Sequence, residues 1–258
     1  VYCIDTDEKR LKALKWTPIN DVWGVGIRHS KKLKALGVKS ALDFVNLPDS
    51  WVKKNLSILG LRLKRDLEGA PTIQLEEFAP KKKSIATTRS FKNTITTFSD
   101  LEERITTYTL LGAEKLRKQQ SCASAIYVFV RSNPFQKQAE QYRNGFTVKL
   151  PYATDSSIIL NQYAINGLRN IFKSGIEYKK AGILLLGLTP STSRQMSLFE
   201  KDTTKHSALM ETMDNIHRRF GPHRMKLGSQ DLKQTWKMRR DYLSNRFTTE
   251  INEVIKVK

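Results

Sequence analysis

The chain has 258 residues, of which 39% are hydrophobic and 27% charged, with 45 Lys and Arg against 25 Asp and Glu and a formal net charge of +20. That apolar share supports real cores and excludes a disordered chain, while the length allows one large domain or roughly two to three small ones. The charge far exceeds what solubility requires, so a polyanion is the expected partner, nucleic acid first.

The excess is spread along the chain. Residues 1–83 carry 17 basic against 10 acidic residues, 84–192 carry 14 against 7, and 193–258 carry 14 against 8. Such spreading favours several modules following one long phosphate backbone over a basic tail on a neutral fold. The two cysteines, Cys3 and Cys122, form no CxxC pair, and His29, His206, His217 and His223 show no ligand spacing, so no zinc site is expected. Cys122 beside an apolar run reads as a small buried residue, and a reducing compartment fits both thiols. No apolar run approaches the roughly 18 residues of a membrane span, and the N-terminus lacks a signal-peptide plan. A soluble, cytoplasmic protein without a membrane partner is expected. The start, Val-Tyr-Cys-Ile-Asp without methionine, reads as a fragment of something longer.

In chain order, residues 1–17 read as a linker or the end of a preceding element, with Asp5, Asp7 and Glu8 in a polar stretch. Residues 18–70 read as short helices joined by tight turns: Pro18 to Asp21 signals a cap, Lys31–Leu36 ends at Gly37, and Ser40–Val45 precedes Leu47-Pro48. Helices this short must share a core, for which Leu33, Leu36, Leu42, Phe44, Trp51, Leu56, Leu61 and Leu67 are the candidates. Residues 71–83, with Pro71, Pro80 and three consecutive lysines, read as a basic tether.

From 84 to 191 the grammar changes. Strand-like runs at Ile85–Phe91, Ala125–Arg131, Phe146–Leu150 and Ala181–Leu188 alternate with amphipathic helices from Ser99 and over Asp155–Phe172. The order βαββαβ predicts an α+β, ferredoxin-like split βαβ domain, a four-stranded sheet with two helices on one face. Beyond Pro190, residues 192–258 read as a polar connector, a short apolar peptide, a helix over Ser207–Phe220 and a basic stretch holding Trp236.

Three motifs carry chemistry. In Val22-Trp-Gly-Val-Gly-Ile27, a Gly-x-Gly hairpin entering a helix lets backbone N–H groups approach a phosphate, because Gly24 and Gly26 carry no side chain to block it. Arg28, Lys31 and Lys32 on the following helix supply charge. In Thr87-Thr-Arg-Ser-Phe91, the strand residues Thr88, Arg89 and Ser90 can lie along successive phosphates, as can Arg131 at the end of the next strand. In Gln195-Met196-Ser197-Leu198-Phe199, a polar connector presents an amide, then an aliphatic and an aromatic residue suited to a partner's pocket.

These segments together carry a resemblance. The hairpin with VWGVGIRHSKKLKALGVKSALDF, then QLEEFAP at 74–80 and KKKSIATTRSF, then the split βαβ pattern, resemble the thumb, tether and little finger of Y-family translesion DNA polymerases. QLEEFAP and the ending RRDYLSNRFTTE at 239–250 are similar to the UmuC-type branch more than to DinB-type relatives. The likeness implies an 18–70 helix-hairpin-helix thumb, an 84–191 little finger, primer-template or damaged DNA as ligand, and a sliding-clamp-binding peptide at Gln195 to Phe199. It also implies contacts of the C-terminal tail with a UmuD dimer and RecA, which compete with simple packing of Trp236 and Tyr242 on the helix at 207–220. Family members hold catalytic Mg²⁺ with palm carboxylates ahead of the thumb. Only about twenty residues precede the thumb pattern here, so the resemblance implies a chain without the palm, carrying no catalytic residue and no cofactor. The competing reading is a stand-alone helix-hairpin-helix DNA-binding or nuclease-associated protein.

Overall fold

The computed structural model describes residues 3–75, 77, 80–136, 138–193, 204–221, 224–230 and 242–255. The chain forms two compact units, residues 1–79 and 80–258, each with its own apolar core.

The first unit is helical. Helix α1 (Asp7–Trp16) starts where the Thr6 side chain accepts the Lys9 N–H, with Asp7 and Glu8 favourably placed in its first turn. It buries Leu14, and Arg10 donates to the Leu67 carbonyl oxygen at 3.0 Å, so the helix is part of the unit's core. Periodicity gives no sign of α1, because one buried leucine makes no apolar stripe. Helix α2 (Ile27–Ala35) follows the glycine hairpin, and α3 (Ala41–Val45) is started by a reciprocal cap between Ser40 and Asp43. The backbone N–H groups of Ser40 and Lys39 hold the Asp43 carboxyl below its ordinary value.

Helix α4 (Asp49–Leu67) is interrupted at Ser57, whose φ of 68° and ψ of −175° belong to backbone that glycine favours. Ile19, Leu33, Phe44 and Val52 are fully buried at the centre. Leu36, expected inside, is 56% exposed. It is the C-cap of α2, and the turn through Gly37 at φ +82° carries it outward.

A charged cluster ties the two ends of α4 together. The buried Lys64 ammonium donates to Asp49 at 2.7 Å and Glu68 at 2.6 Å, and Arg65 reaches the same two carboxylates. Burial pulls Lys64 down, but these hydrogen bonds outweigh it and leave its pKa raised. Hydrogen bonding by Lys64 holds both carboxyls below their ordinary values.

The second unit is α+β. Its elements run β1 (Ile85–Ile95), α5 (Phe98–Lys118), β2 (Ser121–Ser132), β3 (Arg143–Thr154), α6 (Ser157–Ile171) and β4 (Tyr178–Pro190), the βαββαβ sequence expected from periodicity. The sheet is antiparallel throughout, in the order β1-β4-β2-β3. Both βαβ crossovers are therefore split, β4 lying between β1 and β2 and β2 between β3 and β4. The ferredoxin-like plan holds for element order and split units but not for strand position. It puts the first strand inside the sheet, whereas β1 here is an edge strand, a choice made by long-range pairing that local periodicity does not encode.

Ile126, Val128, Val130, Ile183 and Leu185 point to one face of the sheet, where they pack with Leu101, Tyr108, Leu116, Leu160 and Leu168 of α5 and α6. Burial pushes the Tyr108 hydroxyl up to about 12. Helix α7 (Thr204–Phe220) buries Met210 and Met213. It is fixed by Asp214, which accepts from Arg117 Nε at 2.6 Å and Nη2 at 2.7 Å, while Arg117 Nη1 donates to the Asp155 carbonyl oxygen and Ser157 Oγ. Two-pronged pairing of this kind gives α7 one defined seat on the helical layer.

Candidate nucleic-acid interface

The hairpin of the first unit is held from below and open above. Val22 and Val25 are buried, and the Val25 N–H donates to the Val22 carbonyl oxygen at 3.0 Å. Gly24 takes φ +96°, which only glycine adopts without strain, and a Cβ there would meet Leu63 at 3.3 Å. Gly26 has nothing within 4 Å of the position a Cβ would occupy. As N-cap of α2 it offers no side chain to the first turn, so that turn's N–H groups are free to meet an anion. Arg28 and Lys31 are exposed beside it. Lys32 is partly engaged within its own unit, donating to Asn55 at 2.8 Å and lying 6.0 Å from the Trp51 ring centre.

The sheet supplies a second basic surface. Its four strands contain no Asp or Glu but hold Arg89, Lys92, Arg131, Arg143, Lys149, Lys179 and Lys180. Strand alternation sends Ala86, Thr88, Ser90, Ala125, Tyr127, Phe129 and Arg131 to the face opposite the helices. Register then aligns them in rows across the strands. Ser90 pairs with Lys180, Lys180 with Arg131, and Arg131 with Arg143, so three cations stand side by side on neighbouring strands about 4.8 Å apart. Like charges directly opposite one another destabilise a sheet, and an anion laid across the row relieves the repulsion. Arg131 Nε is buried without a hydrogen-bond partner among the described residues.

The next row is built on glycine. Thr88 pairs with Gly182, Gly182 with Phe129, and Phe129 with Gly145. A Cβ on Gly182 would sit 2.6 Å from Thr88 Cγ2 and 2.9 Å from Phe129 Cε1, and one on Gly145 would sit 2.1 Å from the Tyr127 hydroxyl oxygen. The glycines make room for the two rings, whose centroids are 6.0 Å apart with planes 22° from parallel.

The structure thus brings Thr88, Ser90 and Arg131 together on one face. Arg89 has the opposite parity: it pairs with Ala181 on the helical side, and its charge reaches Tyr108 of α5. Gly24, Gly26, Arg28 and Lys31 are together in the other unit. Gln195, Met196, Ser197, Leu198 and Phe199 lie outside the described residues, as do Trp236, Arg239 and Arg240. Sequence reading missed Lys180 and Arg143, which only register places beside Arg131. It also missed Tyr127 and Phe129, although the alternation Ala125-Ile-Tyr-Val-Phe-Val-Arg131 carries the signal. Among the described residues, no group of three or more His, Cys, Asp or Glu side chains is placed to hold a metal, and no helix is long and apolar enough to cross a membrane.

Comparison with known proteins adds the lineage. Residues 82–198 match the impB/mucB/samB family C-terminal domain, and residues 207–257 match a domain of unknown function, DUF4113. The chain is 34% identical to protein UmuC of Salmonella typhimurium, over 97% of this chain and 60% of that protein. It is 32% identical to protein MucB of Escherichia coli, over 97% and 59%, and 20% identical to DNA polymerase IV of Bacillus velezensis, over 90% and 56%. The chain thus spans about 60% of the length of the curated relatives it matches. Similarity along nearly the whole chain, with the four-stranded sheet domain coinciding with the matched segment, means that this chain is a C-terminal, UmuC-like part that carries the impB/mucB/samB family C-terminal domain over residues 82–198.

Proposed function

We infer that this chain is the DNA-gripping part of a UmuC-like, error-prone translesion polymerase that acts in SOS mutagenesis and DNA repair. The observation that carries the reading is the acid-free sheet with its row of Lys180, Arg131 and Arg143, since a phosphate backbone is the ligand that relieves three adjacent cations. The glycine hairpin supports it from the other unit by offering backbone N–H groups to a phosphate. Primer-template or damaged DNA binds with little sequence preference, because both surfaces address the phosphate backbone, which carries no sequence information directly. Titrating labelled primer-template DNA at several salt concentrations tests this: affinity falls steeply and linearly in logarithmic coordinates. Salt-insensitive binding overturns the reading.

Two finer assignments go with it. Gln195 to Phe199 attaches the chain to a bacterial sliding clamp, Leu198 and Phe199 filling an apolar pocket. The support is the composition of the peptide and its position between β4 and α7. Replacing both with Ala abolishes clamp binding and leaves DNA affinity unchanged. The C-terminal tail meets UmuD or RecA, for which the support is the tail's likeness to the family; co-purification with and without residues 242–258 tests it. The isolated chain does not extend a primer, because its apolar strands carry no carboxylate pair for a two-metal site; template-directed incorporation by the purified chain would overturn that assignment.

A further inference from the structure

We propose that the open face of the sheet is a platform for unpaired nucleobases. A single-stranded DNA segment crosses it with phosphates over Lys180, Arg131 and Arg143 and bases resting on Phe129 and Tyr127. The proposal rests on the DNA-binding reading and narrows it to strands whose bases are out of the duplex.

Phosphate contacts account for the cations but not for the rings. Tyr127 and Phe129 stand on the solvent side of β2, outside the buried core, and are half-buried at positions where alternation calls for polar residues. Their ring atoms come to the height of a neighbour's Cβ only because Gly145 and Gly182 have none, so the rings lean over the adjacent strands and form one floor. The cationic row lies two residues along the strand from Phe129, about 7 Å, a span that a phosphate, its sugar and its base can cover. Beyond the rings, half-buried Leu184 and Leu186 extend the apolar strip. A protein partner would fit that strip alone. The absence of any acidic side chain on the four strands favours a polyanion, and the rings favour one with free base faces. A duplex keeps its bases stacked and engages only the cations.

The test compares three labelled DNAs on the full chain at one salt concentration: an oligo-dT, an abasic strand of the same length and a duplex. Oligo-dT is expected to bind about ten-fold or more tighter than the abasic strand. The Tyr127→Leu/Phe129→Leu double variant keeps an apolar cover over the glycines and is expected to lose that difference while holding the abasic and duplex affinities. Equal binding of oligo-dT and abasic DNA by the unaltered chain overturns the platform, as does a variant that retains the difference. In both cases abasic and duplex binding leave the DNA reading standing, whereas no binding of any of the three removes the DNA reading itself. Should the double variant fail to fold, photocrosslinking of the unaltered chain to an iododeoxyuridine strand decides. Adducts on Tyr127 or Phe129 support the platform, and adducts confined to other residues overturn it.

Discussion

The hairpin and the sheet both rely on glycine, for opposite reasons. At Gly26 the missing side chain leaves open space through which a ligand can reach backbone N–H groups. At Gly145 and Gly182 that space is already filled by the protein's own Tyr127, Phe129 and Thr88. Their charges differ as well: Arg28 and Lys31 sit on an exposed helical turn, where water screens them, whereas Lys180, Arg131 and Arg143 are forced together by strand register. The first surface costs the fold little, and the second stores repulsion that a bound anion releases. A glycine or a lysine in a sequence therefore acquires its meaning from what its neighbours place beside it.

The largest expected effect comes from breaking the sheet row. The Arg131→Gln/Arg143→Gln/Lys180→Gln variant should lose about 2 to 3 from the logarithmic salt slope and about 100-fold or more in DNA affinity at low salt. Its thermal stability should hold or rise, because each opposed like-charge pair costs about 0.2–1 kcal/mol. Salt titrations and melting curves on the same protein check both signs. An unchanged slope would move the backbone track to the hairpin alone.

Next in size is Asp214→Ala, which strands the Arg117 guanidinium in a largely buried site and should destabilise the second unit by about 3 kcal/mol. Denaturant unfolding measures the loss. DNA affinity should be unaffected, since Arg117 lies on the helical layer and not on the open face.

Splitting the hairpin's two glycines sharpens the contrast between fold and ligand. Gly24→Ala forces a side chain into φ +96° and should cost about 1 kcal/mol or more of stability. Gly26→Ala, at φ −73° with open space around it, should leave stability within about 0.5 kcal/mol while weakening DNA binding several-fold. Equal behaviour of the two variants would make the hairpin a structural turn only.

The smallest effect is acid sensitivity of the helical unit. Asp49 and Glu68 have pKa values lowered from 3.8 and 4.5, so their contribution is fully present above those values and is lost as pH falls through the lower folded ones. Melting temperature should therefore drop below about pH 4. Lys64→Met, which removes the shared donor, should flatten that part of the curve.

By itself the sequence determined what is local. Periodicity two and periodicity 3.6 place β1 to β4, α5 and α6 within a few residues of their observed ends, and Gly37, Pro48 and the Ser40 cap punctuate the helices where chain-neighbour chemistry requires. The hairpin was legible for the same reason, since Val22 to Gly26 are adjacent and a turn is built from adjacent residues. Helix α1 was not, because its docking rests on Leu14 and a hydrogen bond from Arg10 to Leu67, a partner 57 residues away. The tertiary structure alone decided that β1 sits at the sheet edge, that Arg89 turns toward the helices while Thr88 and Ser90 do not, and that Arg131 stands between Lys180 and Arg143. Pairing between strands depends on the free energy of the whole packed core, and a shift of one residue would turn every one of those side chains to the other face.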